Sequence, residues 1–74
     1  MSRLPTTTPK KVVAALKRAG FTKVHQKGSH LYLHHKMRDS LTSVPMHQRD
    51  LKRPTLKEIL KQAGLSEEEF RKLL

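Results

Sequence analysis

The stretch KGSHLYLHH, residues 27–35, carries three of the chain's five histidines directly after a predicted turn. His25 lies just upstream, His47 lies downstream, and the chain has no cysteine. Imidazole titrates near neutral pH and can act as a general acid, a general base or a metal ligand. The cluster therefore raises three hypotheses: a metal site, a catalytic site or an ordinary solvated surface.

The metal hypothesis has the least support. A zinc site needs three or four neutral or anionic ligands that converge on one point, and a carboxylate commonly supports one of them. Here the neighbouring charges are Lys23 and Lys27, which repel a cation, and the adjacent His34 and His35 point to opposite faces of a strand. We predict no resident metal and no other cofactor.

A catalytic site for RNA cleavage needs fewer residues. A base must take the proton of the 2′-hydroxyl, an acid must protonate the leaving oxygen, and cations must stabilise the phosphorane. His30 could serve in either proton-transfer role, with Lys27 supplying positive charge beside it. On the chemistry alone, a structural or solvated histidine remains an alternative at this position.

The charge of the chain favours nucleic acid as its partner. Its 74 residues leave room for one domain, and 16 Lys and Arg against 6 Asp and Glu give a net charge of +10. Such a charge attracts polyanions; an acidic protein or an anionic membrane surface would also satisfy it. No apolar run approaches a bilayer span and Met1 to Leu4 does not begin a signal peptide, so we expect a soluble cytoplasmic protein.

The first third of the chain predicts an arm and a helix. Residues 1–7 lack a periodic apolar pattern and are expected to form a loose arm. Thr8 and Pro9 are typical of an N-cap and a first helical position, and Gly20 is typical of a helix stop. Helix one is therefore predicted from about Pro9 to Ala19.

The middle third predicts three short strands. After Phe21 the apolar period changes from helical to two, with Gly28-Ser29 as a two-residue hairpin loop and a longer turn near residues 37–40. Pro45 cannot donate to a strand ladder, so the third strand should be an edge or end near it. Five apolar residues are predicted to point inward: Val24, Leu31, Leu33, Val44 and Met46.

The last third predicts two helices. Thr55 with Glu58, and Ser66 with Glu69, have the spacing of capping boxes, and Gly64 separates the two helices. Helices packed on one face of the sheet would leave the other face open. That predicted basic face carries Lys23, His25, Lys27, His30, Tyr32, His34, Ser43 and His47. Keeping Val44 and Met46 inward allows a register in which His47 lies opposite His30.

The order of four sequence blocks resembles the HicA toxin family. These blocks are LKRAGF at residues 16–21, QKGSH at 26–30, VPMH at 44–47 and TLKEILKQAGLSEEEF at 55–70. The resemblance covers nearly the whole chain, and Pro54 departs from the glycine that members often carry there. It implies an α+β fold similar to double-stranded-RNA-binding domains: a three-stranded antiparallel sheet with helices on one face, in the order α-β-β-β-α with a further short C-terminal helix.

The resemblance also implies a function. HicA toxins are RNases that cut messenger RNA, and HicB antitoxins neutralise them, so residues 1–74 are expected to form one such domain. The family's catalytic histidine matches His30. We assign Lys27, Gly28, Ser29 and His47 as its supporting residues. The RNA-binding residues are expected to be Lys23, His25, Lys27, Tyr32 and His34. The alternatives are a noncatalytic RNA-binding module, an inactive toxin homologue, or a protein that binds an acidic partner.

Overall fold

The computed structural model describes residues 7–46 and 49–74, and its six elements confirm the predicted α+β fold. Three antiparallel strands form one sheet in the order β1-β2-β3. The elements are α1 (Pro9–Arg18), β1 (Phe21–Lys27), β2 (His30–His35), β3 (Ser40–Pro45), α2 (Arg53–Ala63) and α3 (Glu67–Leu73). Within the described residues, no helix is long and apolar enough to cross a bilayer.

Helix α1 begins and ends as the sequence predicts. The hydroxyl of Thr8 accepts a hydrogen bond from the amide of Lys11, and Pro9 occupies the first turn, where its missing N–H leaves no bond unmade. Ala19 caps the helix, and Gly20 follows with φ of 105°. Such a φ disfavours residues with a Cβ, so the glycine ends the helix and allows the chain to enter β1.

Helix α2 begins earlier than predicted. Its first residue is Arg53, and the N-cap is Lys52, whose side chain makes no capping hydrogen bond. The predicted capping box of Thr55 and Glu58 is therefore wrong. Pro54 is compatible with the first turn of a helix, so the helix extends past Thr55 toward the N-terminus.

The other predicted helix signals are confirmed. Gly64 ends α2 in the left-handed conformation with φ of 72°. Ser66 and Glu69 form a reciprocal capping box at the start of α3. Leu65 and Phe70, on either side of that cap, are both buried in the core.

The helices cover one face of the sheet. Leu31, Leu33 and Val44 are buried on that face, as predicted. The buried Thr42 satisfies its hydroxyl by donating to the carbonyl of Ile59 in α2 at 3.0 Å, which ties β3 to that helix. The core consists of Val12, Val13, Ala15, Leu16, Phe21, Leu31, Leu33, Val44, Leu51, Leu56, Ile59, Leu60, Ala63, Leu65 and Phe70.

Strand β1 departs from the predicted alternation. The register shifts between Lys23 and His25, which makes Val24 an extra residue in a β-bulge. Val24 is 53% exposed, so the prediction that it is buried with the other inward residues is wrong. The bulge also places Lys23 opposite the buried Leu33, on the side of the helices, instead of on the predicted basic face.

The chain before α1 pairs with the segment before α2. Thr7, the last residue of the predicted arm, forms an isolated antiparallel bridge with Leu51, whose amide donates to the Thr7 carbonyl at 2.7 Å. Thr7 is only 4% exposed and Leu51 is fully buried. Residues 1–6 of the predicted arm lie outside the described residues.

Candidate nucleic-acid interface

The sheet face away from the helices carries three rows of side chains, because residues opposite each other in a ladder share a face. We call these nine residues the open face. The rows, each read from β1 to β3, are Lys27–His30–Pro45, His25–Tyr32–Ser43 and Thr22–His34–Leu41. The predicted hairpin loop at Gly28-Ser29 is confirmed, with Lys27 opposite His30 and His25 opposite Tyr32.

A tight hairpin places His30 at one end of the open face. Gly28 and Ser29 form the two-residue loop between β1 and β2, and Gly28 has φ of 59°. This φ at the first loop position, without a positive φ at Ser29, matches a type II′ turn. The turn sets Lys27 and His30 directly opposite each other, and both are exposed.

The hairpin tip is also fixed from the third strand. The amide of Met46 donates to the carbonyl of Ser29 at 2.6 Å, just past the end of β3. Pro45 lies opposite His30 and is buried. These contacts restrain the backbone at Ser29 and His30, from which the imidazole projects.

An aromatic pair occupies the middle row. The rings of His25 and Tyr32 are tilted by 37°, and their centroids lie 5.7 Å apart. Tyr32 is half-buried and His25 is exposed. Two adjoining rings on a solvent-facing sheet form a surface on which an unpaired base can stack.

The two adjacent histidines of β2 lie on opposite faces, as predicted. His34 is on the open face, where its Nε2 lies 2.9 Å from a carboxylate oxygen of Asp39. His35 lies on the helix side, with its Nε2 3.1 Å from the carbonyl oxygen of Ala19. Its Nδ1 accepts from the amide of Arg38 at 3.1 Å.

The contacts of His35 indicate a structural role. Because Nδ1 accepts a hydrogen bond, Nε2 carries the proton and donates to Ala19, and one neutral tautomer satisfies both bonds. The ring also packs edge-on against Phe21, with centroids 5.1 Å apart. His35 therefore joins the end of α1 to the turn after β2.

One predicted site residue, Lys23, is not brought together with the others, and a second, His47, cannot be placed from the described residues. The predicted register of His47 opposite His30 is wrong, since Pro45 occupies that position. His47 itself lies outside the described residues. Because of the bulge, Lys23 does not lie on the predicted basic face. Thr22 lies beside His34 on that face instead, and the Thr22 hydroxyl donates to the carbonyl of His34.

Sequence reasoning missed one residue at the site, Asp39. It has φ of 51° and is the one non-glycine residue with positive φ among residues 7–46 and 49–74. Asp is among the residues that tolerate this conformation in turns, and its place between β2 and β3 is the only signal the sequence offers.

The electrostatics of the open face suit an anion. Its rows contain a lysine and three histidines and no carboxylate, with Asp39 at one end. On α3, away from the open face, hydrogen bonds from Ser66 lower the pKa of Glu69. Within the described residues, no three His, Asp or Glu side chains form a group that could hold a metal ion.

Fold and site together define a small α+β domain with a basic, histidine-bearing sheet face. The sequence matches the family described as HicA toxin of bacterial toxin-antitoxin over residues 9–65. This match covers well over half of the chain, so the protein belongs to the HicA toxin family. It is a toxin of a toxin–antitoxin system, and that membership implies an antitoxin partner. No curated protein matches the chain.

Proposed function

We propose that this toxin is a metal-independent endoribonuclease that cleaves messenger RNA and thereby stops translation and growth. HicA-family toxins are generally RNases, which supports the reaction class. The observation that carries the proposal is the exposed His30 directly opposite Lys27, in a hairpin fixed by Gly28 and by the Met46 amide.

The chemistry that such a site would perform is transfer of a phosphoryl group to the neighbouring 2′-oxygen. Removing the 2′-hydroxyl proton lets that oxygen form a bond to phosphorus, while the bond to the 5′-oxygen breaks and that oxygen takes up a proton. His30 acts as the base or the acid for one of these transfers. Lys27, opposite it, stabilises the extra negative charge of the phosphorane.

Other exposed side chains of the open face bind the RNA strand. Lys27 and the histidines attract the backbone phosphates, while Tyr32 with His25 offers a stacking surface for a base. Lys23 projects from the edge strand on the other side of the sheet, so its contribution is limited to long-range attraction. His47 is the candidate for a second proton-transfer group.

The exposure of Lys27 and His30 on the open face suggests how an antitoxin inhibits the toxin. The antitoxin is of the HicB type, and it covers the exposed basic face so that Lys27 and His30 cannot reach RNA. An acidic partner achieves this at lowest cost, because opposite charges also speed the encounter. A complex in which His30 stays open to solvent would contradict this steric mechanism.

A noncatalytic RNA-binding module is the second candidate, because the His25–Tyr32 pair supports stacking with or without cleavage. Both candidates bind RNA, but only the enzyme shortens it in the presence of EDTA. A binder of acidic proteins would show little RNA affinity at physiological salt.

The deciding experiment compares the wild type with His30→Ala. We expect the variant to melt like the wild type, to bind RNA within a few-fold, and to fail in cleavage and growth arrest. The reason is that one imidazole contributes little to the attraction for phosphate but supplies the proton transfer. Wild-type cleavage should persist in EDTA.

Lys57→Ala serves as the control, because it removes a cation from the exposed side of α2. This variant should cleave RNA like the wild type. Retained cleavage by a well-folded His30→Ala variant would refute the assignment, and His47 would then be tested. Loss of wild-type cleavage in EDTA would refute the metal-independent mechanism.

A further inference from the structure

At the end of the open face away from His30, the imidazole of His34 contacts the carboxylate of Asp39. His34 Nε2 and Asp39 Oδ1 lie 2.9 Å apart, a distance typical of a charge-assisted hydrogen bond. The side chain of His34 is 32% exposed and that of Asp39 is 94% exposed. Asp39 thus reaches back from the β2–β3 turn and fixes the ring while leaving it accessible to a ligand.

The spacing along β2 separates His34 from the chemistry at His30. The two side chains share a face and are four residues apart, which corresponds to about 13 Å along an extended strand. This is too far for both imidazoles to contact one phosphate. Tyr32 lies between them, beside His25.

We infer that His34 binds a second backbone phosphate of the substrate and that Asp39 is its positioning residue. This inference rests on the proposed function and specifies its substrate: single-stranded RNA whose chain crosses Tyr32 and extends at least one phosphate beyond the bond cleaved at His30. Nε2 donates to Asp39, so Nδ1 is the ring atom that donates to the phosphate oxygen when the ring is protonated.

The backbone conformation of Asp39 provides a control for turn formation. Its φ of 51° lies in the left-handed region, which aspartate tolerates in turns and glycine adopts more readily. Glycine would therefore keep the turn but would leave His34 without its acceptor. Asp39→Gly therefore distinguishes two roles. If Asp39 only shapes the turn, the substitution should change the melting temperature; if Asp39 positions His34, it should weaken RNA binding while the fold stays stable.

The test uses two substrates that differ in the number of phosphates. One is a dinucleoside monophosphate, which has only the scissile phosphate; the other is an unpaired RNA hexamer. His34→Ala should raise KM for the hexamer about ten-fold with little change in kcat, as expected for a lost hydrogen bond to a charged group. The ratio of kcat/KM for the hexamer to kcat/KM for the dinucleoside monophosphate should therefore fall about ten-fold.

The Asp39 variants test the positioning role. Asp39→Gly should melt at or above the wild-type temperature yet raise KM for the hexamer, whereas Asp39→Asn keeps an acceptor oxygen and should restore most of the affinity. A KM increase that accompanies a fall in melting temperature for Asp39→Gly, with no rescue by Asn, would assign Asp39 to structure alone.

A methylphosphonate scan locates the second phosphate. Each hexamer carries one uncharged linkage, at a different position in each, and should bind the wild type more weakly than the fully charged hexamer. At one linkage outside the scissile bond, the His34→Ala variant should show no further loss of affinity, because the contact is already absent. Additive losses at every linkage would overturn the inference. Affinity is measured with 2′-O-methyl hexamers, which cannot be cleaved, so failure of the proposed nuclease activity and failure of this phosphate site give separate results.

Discussion

The amide of Met46 donates a 2.6 Å hydrogen bond to the carbonyl of Ser29, joining the end of β3 to the loop that precedes His30. A hairpin loop held only by its own two strands would leave the residue after it mobile. Here a third strand restrains it, so the position of His30 depends on a residue 16 positions later in the chain.

Met46→Pro removes this donor and should impair cleavage more than folding. The lost bond is worth about 1 kcal/mol, which corresponds to a melting temperature lower by several degrees in a domain of this size. The loosened loop should reduce kcat by misplacing His30. Met46→Leu is the matched control, since it keeps the amide and a similar volume. Equal activity of the two variants would show that the bond does not position His30.

Gly28→Ala should destabilise the hairpin through its backbone conformation alone. No atom lies within 4 Å of a Cβ built at this position, so the expected loss of about 1–2 kcal/mol comes from φ of 59°. A chemically synthesised Gly28→D-Ala protein should fold at least as stably as the wild type, because a D-residue prefers positive φ. Urea unfolding measures both, and equal losses for the L- and D-alanine proteins would contradict a backbone origin.

Gly20→Ala should destabilise the fold more than Gly28→Ala, because a steric clash adds to the unfavourable backbone conformation. A Cβ at Gly20 would lie 2.8 Å from Nε2 of His35, the atom that donates to Ala19. We expect a loss of about 2 kcal/mol or more from the clash and from φ of 105°. Thermal melting of Gly20→Ala, His35→Ala and the double variant checks this, since the double variant should lose less than the sum. Additive losses would show that the ring moves aside at no cost.

Local signals were predicted well because few residues determine them. Thr8 with Pro9, Gly64, and Ser66 with Glu69 each act within one helical turn, so the sequence specifies them without knowledge of the tertiary structure. The predicted box at Thr55 failed because Pro54 also fits in a helical first turn, and the longer helix replaced it.

Strand pairing was predicted only in part. A period of two assigns alternate residues to one face, but it does not say which residues of two strands stand opposite each other. The hairpin loop at Gly28 fixed the β1–β2 register near the tip, and the bulge at Val24 then changed the face of Lys23. The longer turn before β3 imposed no register, which is why His47 was expected opposite His30 where Pro45 stands.

The capping box of α3 should give the fold a measurable pH dependence. The Ser66 amide donates a hydrogen bond to the Glu69 carboxylate and, together with the Ser66 side chain, holds the folded-state pKa of Glu69 below its usual value. A lowered folded pKa adds stability that is present above the unfolded pKa and lost as pH falls through the folded pKa. Glu69→Gln should thus be less stable than the wild type in urea at about pH 7, and the difference should shrink as the pH falls below about 4. A difference independent of pH would contradict this origin.

Salt dependence should separate Lys27 from the other cations of the chain. Each phosphate contact releases condensed counterions, so the affinity for single-stranded RNA should fall with a slope of about −0.7 per contact in a log–log plot against salt. Lys27 lies in the row of His30 on the open face, whereas Lys57 lies on α2, on the other side of the sheet.

Lys27→Ala should therefore reduce the salt slope by about one contact and lower kcat as well, since the same ammonium group would stabilise the phosphorane. Lys57→Ala removes an equal charge and should leave both the slope and kcat close to the wild type. Fluorescence anisotropy with an uncleavable RNA, measured at several salt concentrations, provides the slopes, and cleavage assays provide kcat. If both substitutions changed the slope and kcat equally, RNA binding would depend only on the net charge of +10 and not on the position of Lys27. A slope that falls for Lys27→Ala with kcat unchanged would confine Lys27 to binding and leave the transition state to other groups.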